Sequence, residues 1–119
     1  MSVYSDLALM DGVIAAGEYA YRGDRYHFKG QMSEEMARMA SIMCRATTMS
    51  THMQSDILCT NIDSKDCPFN EAHGWMVRGP QFSVCVMANV FCFVVNQPGV
   101  LNTVFARMRN KLMDVEDMV

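Results

Sequence analysis

The chain predicts one α/β domain of α+β layers, with helices packed on a central antiparallel sheet of about five strands. The expected order is α-β-β-α-β-β-β-α over residues 1–119. Three observations carry this. A long segment after Ser33 repeats its apolar residues at helical spacing. Two short apolar runs in "FSVCVMANVFCFVVN" (82–96) alternate as strands, and Gly23-Asp24 separates two strand-like runs as a hairpin turn would. At 119 residues the chain is long enough for one core without metals or disulfides.

The elements follow in order. Val3 to Met10 reads as a short helix with Leu7 and Met10 on one face, stopped at Asp11-Gly12. "GVIAAGEYA" is the first strand. In the second, Tyr26 and Phe28 alternate with Arg25, His27 and Lys29, which puts His27 on the solvent side. Ser33 is an N-cap for the long helix, and Glu34 and Glu35 suit its positive end.

In that helix the apolar residues between Met36 and Leu58 cover an arc of roughly 200°, where little over ~100° suffices to cover a core. Arg38, Ser41, Arg45, Thr48, His52 and Asp56 fill the polar remainder. The surplus flank is Ile42, Ala46, Met49 and Met53, with Met39 beside it, and it calls for a cover such as a second subunit.

Gly74 and Gly79-Pro80 bracket a third strand, Trp75 to Arg78. Phe82–Met87 and Phe91–Val95 are the fourth and fifth, joined at Ala88-Asn89, where Asn89 tolerates positive φ. After Pro98, apolar residues from Val100 to Leu112 repeat at helical spacing, with Arg107, Arg109 and Lys111 placed toward the C-terminal part to complement the dipole.

Composition narrows the function classes. A net charge of −3, with basic residues dispersed among acids, leaves no cationic stripe for nucleic acid. The opening residues lack the basic, apolar pattern of a signal peptide. The 82–96 stretch is too short to span a bilayer, so no membrane partner and a cytoplasmic protein are expected. Five cysteines without CxxC spacing argue against a disulfide framework or a zinc site, and Cys44, Cys85 and Cys92 read as buried small hydrophobes. The thirteen methionines form no metal-binding array and suit adaptable contact surfaces, so no cofactor or metal is expected.

No phosphate-binding glycine loop and no G-x-S-x-G elbow is present, so no catalytic residue is assigned. The one pairing that could support nucleophilic chemistry is Cys67 with His73, in the polar loop before Trp75. It defines an alternative reading, a thiol-dependent or small-ligand-binding protein.

The chain resembles the roadblock/dynein-light-chain family, which has a profilin-like fold. The resemblance rests on "LALMDGVIAAGEYAYRGD", the long helix from Ser33, "GWMVRG" and the paired strands of "FSVCVMANVFCFVVN". Within the family, "GVIAAGEY", "SEEMARMA" and "GWMVRG" are similar to a small bacterial branch of uncharacterised function. The resemblance implies a non-catalytic homodimer that pairs its long helices antiparallel and joins its third strands edge to edge. In this sequence the interface would use Met39, Ile42, Ala46, Met49 and Met53 with Trp75, Met76, Val77 and Arg78. It further implies a platform or scaffold for a Ras-like small GTPase or a multiprotein assembly. Two departures bear on that surface: the first helix is short, and Met87-Ala88 stand where small residues or glycines are common.

Overall fold

The computed structural model describes residues 2–62 and 74–117. It contains α1 (Val3–Ala8), β1 (Val13–Tyr19), β2 (Tyr26–Gly30), α2 (Glu34–Ile62), β3 (Gly74–Arg78), β4 (Phe82–Met87), β5 (Val90–Val95) and α3 (Val100–Asp117). The protein is an α+β domain whose five strands form one antiparallel sheet in the order β2-β1-β5-β4-β3. The two edges are therefore β2 and β3.

Strand alternation divides the apolar residues between two cores. On one face Ala16, Cys85, Cys92 and Val94 meet Leu7 of α1 and Val104 and Met108 of α3. On the other, Tyr19, Val86 and Phe91 meet Ala40 and Cys44 of α2. The molecule is thus three layers, with α2 alone on its side of the sheet. Period-two alternation in β4 and β5 sends residues to both layers, which is why both strands are apolar throughout.

The α2 layer is close-packed because the facing residues are small. Its buried positions are Ala37, Ala40, Ser41, Cys44, Thr48 and Ser55, which recur at helical spacing. Across from them, Gly17 lies in register with Phe28 of β2 and Phe91 of β5. The polar arc expected from sequence is corrected here, since Ser41 and Thr48 face the sheet. Thr48 Oγ1 accepts hydrogen bonds from Tyr19 Oη (3.0 Å) and Trp75 Nε1 (2.8 Å), which compensates its burial and ties α2 to β1 and β3. Small and hydroxyl-bearing residues can form a contact face when their polar atoms find partners, and a hydrophobicity pattern alone does not register that.

Other boundaries move slightly. α1 ends at Ala8 and not Met10, because Gly12 takes φ +85° and starts the turn into β1. The Ser33 cap is present, its Oγ accepting from Met36 N at 3.1 Å. The cations of α3 do not lie in its last turn, because the helix continues to Asp117. One of them, Lys111, instead donates to Asp6 Oδ2 at 2.7 Å and ties α3 to α1.

The Lys111 hydrogen bond, opposed by partial desolvation, holds the Asp6 carboxyl below its ordinary value of 3.8. A carboxyl whose folded value is depressed contributes stability above its unfolded value and loses it as pH falls through the folded one. Acidification below about pH 4 should therefore destabilise the wild type more than Lys111→Met. Urea midpoints of both proteins at pH 7 and pH 3 measure this, and equal acid sensitivity would refute the assignment.

The β4–β5 turn contains a second correction. Ala88, not Asn89, takes the left-handed conformation, at φ +55°. Asn89 instead clamps the turn to the end of β1. Its Nδ2 donates to Tyr19 O at 2.9 Å, and its carbonyl accepts from Tyr19 N at 3.0 Å. A left-handed alanine costs about 1–2 kcal/mol, and glycine returns about 0.4–1 kcal/mol of that as unfolded-state entropy. Ala88→Gly should therefore stabilise by up to about 1 kcal/mol in chemical denaturation. A destabilisation of that size would contradict the strain.

Candidate interaction surface

The large apolar residues of α2 point away from the sheet. Met36, Met39, Ile42, Met43, Met49, Met53, Ile57 and Leu58 are 43–64% exposed. At 3.6 residues per turn, most of them lie on the side opposite the buried small-residue face. Full burial of such a side chain is worth about 1.5–3 kcal/mol, so eight that stand about half exposed forgo on the order of 6–12 kcal/mol. That is comparable with the whole stability of a domain, ~5–15 kcal/mol.

Within this patch Met39, Ile42, Ala46, Met49 and Met53 follow one another at spacings of three, four, three and four residues. This is the 3.5-residue repeat of a helix–helix seam, and all five positions are exposed. One flank of the seam is polar, with Arg38, Arg45, His52 and Asp56. The Arg45 Nε donates to the Tyr21 carbonyl, which draws its guanidinium toward the β1–β2 turn.

The opposite flank borders a groove between α2 and the sheet. Met36, Met39 and Met43 wall a space of about 260 Å³ over Val84 and Phe93. It shares Met36 and Phe93 with a second depression of about 280 Å³ that extends to Ile14 and Phe82. The groove exists because α2 covers only part of its side of the sheet, leaving Phe82 47% exposed.

The remaining expected interface residues lie on β3, the edge strand. Met76, Val77 and Arg78 are exposed, whereas Trp75 is half-buried in the α2-side core and hydrogen-bonded to Thr48. The structure thus brings Trp75 to the internal packing, with its three successors lying on the open edge.

The described polar and sulfur groups form no reactive set. Burial pushes the Cys44 thiol up to about 12. The Cys92 thiol is raised by its hydrogen bond with Cys85 and by burial. The Cys85 Sγ stands 3.6 Å from Met108 Sδ, and Cys85 and Cys92 are both fully buried. These thiols stay protonated and inert. The structure has Cys44, Cys85 and Cys92 free and Cys59 disulfide-bonded, which the spacing of the cysteines did not suggest. His27 lies on the exposed face of β2, 3.6 Å from Glu18, and His52 is exposed on α2. Cys67 and His73 lie outside the described residues. Among the described residues no group of three or more His, Cys, Asp or Glu is placed to hold a metal, and no helix is long and apolar enough to cross a membrane.

What distinguishes this chain is an apolar helix face and an adjoining groove on a three-layer fold, and a comparison with known families covers that whole framework. Residues 4–110 match DUF2173, described as an uncharacterized conserved protein. The chain belongs to the DUF2173 family. In this DUF2173 member the matched stretch runs from α1 into α3 and contains all of α2, the groove and β3. No curated protein matches the chain.

Sequence periodicity exposed the surplus on α2 but not which side met the sheet. The signal that could have located it is the run of small residues at positions 37, 40, 41, 44, 48 and 55.

Proposed function

We propose that this DUF2173 protein is a non-catalytic interaction module that acts as a homodimer in the cytoplasm. The single observation that carries the reading is the exposed seam of Met39, Ile42, Ala46, Met49 and Met53, directed away from the chain's own sheet. A seam with a 3.5-residue repeat fits another helix, and a second α2 is the helix always available to it. The open β3 edge, Met76 to Arg78, supplies a further surface for the same association.

The resemblance to the roadblock family supports the same arrangement and gives it a purpose. Two copies would form one composite platform for a protein partner, a Ras-like small GTPase or a multiprotein assembly. The short α1 and the Met87-Ala88 turn would shape the partner-facing surface differently from other roadblock proteins.

Light scattering of the full chain tests the reading. The expected mass is about twice the 13.4 kDa of one chain at micromolar concentration. A mass of 13.4 kDa at every concentration up to the solubility limit would overturn it.

A further inference from the structure

We infer that two copies pair their α2 helices antiparallel about a twofold axis at Ala46, a register that joins Arg38 to the partner's Asp56. The inference rests on the homodimer reading above and adds to it the contacts that hold the pair.

The spacing of methionines provides the first argument. Counted from Ala46, Met43 lies three residues before and Met49 three after, while Met39 lies seven before and Met53 seven after. An antiparallel twofold interface places residues equally distant on either side against each other. With the axis at Ala46, Met43 meets the partner's Met49 and Met39 meets the partner's Met53. The smallest side chain of the seam falls on the axis, where two copies of one residue must share the same space.

Charge provides the second and independent argument. Arg38 and Asp56 are eighteen residues apart, five turns of 3.6, so they lie on the same flank of the seam. A twofold axis perpendicular to both helices keeps that flank together in the pair. In the Ala46 register Arg38 and the partner's Asp56 are offset by two residues, about 3 Å along the helix. Both are exposed, and neither makes an ion pair with its own chain among the described residues. A parallel pairing would instead set Arg38 against the partner's Arg38 and Asp56 against the partner's Asp56, which is repulsive. Arg45, on the same flank and next to the axis, is the one charge that would meet its own copy. Its hydrogen bond to the Tyr21 carbonyl draws it aside.

The same register gives the groove an occupant. Ile57 lies eleven residues after Ala46, and Met36 ten before it. The partner's Ile57 therefore comes to the Met36 wall, where the space over Val84 and Phe93 opens. Each copy completes the apolar groove of the other.

Single cysteines read the register directly. With the unsubstituted chain as blank, Ala46→Cys alone should give a covalent dimer under mild oxidation on a non-reducing gel. Met39→Cys alone should not, whereas Met39→Cys mixed with Met53→Cys should. Charge reversal provides the second readout: Arg38→Glu and Asp56→Arg should each weaken dimerisation roughly tenfold, and the two together should restore it. All substituted positions are exposed in the single chain, so the fold is expected to tolerate them. A dimer by light scattering that neither cross-links through residue 46 nor recovers on double reversal overturns the register and leaves the homodimer standing. A chain that stays monomeric overturns both.

Discussion

Gly17→Val is expected to destabilise the fold by about 3 kcal/mol, the upper end of what overpacking a core costs. A Cβ on Gly17 would stand 2.5 Å from both the His27 carbonyl oxygen and Phe91 Cζ. Neither neighbour can yield easily. The carbonyl belongs to the β1–β2 ladder, and the Phe91 ring is fully buried against α2. The position is shaped by the rings in register on both sides, Phe28 and Phe91, which need the empty volume that only glycine leaves. For a domain of this size the melting temperature should fall by roughly 10 °C or more. Phe91→Leu should then cost less in the Gly17→Val background than in the wild type, because it removes one of the two clashes. A Gly17→Val protein within about 0.5 kcal/mol of wild type would mean that β1 can move away from β5, contrary to the packing described.

Met49→Glu combined with Met53→Glu should abolish self-association while leaving the chain folded. Both side chains are more than half exposed in the single chain, so the charges cost the monomer little. In a paired seam four carboxylates, two from each copy, would be removed from water beside apolar methionines without a cation to meet them. Each such group costs several kcal/mol or is forced to take up a proton. A loss of about 4 kcal/mol in association raises Kd roughly a thousandfold. Light scattering should therefore report the 13.4 kDa chain where the wild type is a dimer, with an unchanged helical circular dichroism spectrum. Partial recovery of the dimer near pH 4 is expected, since neutral carboxyls are far cheaper to bury. A double variant that still dimerises would move the interface away from this part of α2.

The two predictions differ in how visible they were beforehand. The seam was legible because periodicity is a property of local sequence: too many apolar residues on one helix cannot all face one sheet. Gly17 was not legible, since "GVIAAGEYA" presents it as one small residue among several. Its importance comes from Phe28 and Phe91, eleven and seventy-four positions away, which only strand register brings beside it. Ala88 is similar. The turn was evident from the two apolar runs, but Asn89 was needed to bond Tyr19, and that left the strained dihedral to its neighbour.

By itself the sequence determined the element order, the antiparallel pairing of β4 with β5, the Ser33 cap and the excess of apolar surface on α2. All of these follow from patterns within a few turns of chain. Only the tertiary structure decided that α2 approaches the sheet through Ala37, Ala40, Ser41, Cys44 and Thr48 and turns its methionines outward. The reason is steric and electrostatic together. Phe91 and Tyr19 rise from the sheet and leave room only for small side chains, and Tyr19 and Trp75 satisfy the Thr48 hydroxyl that would otherwise have to face water.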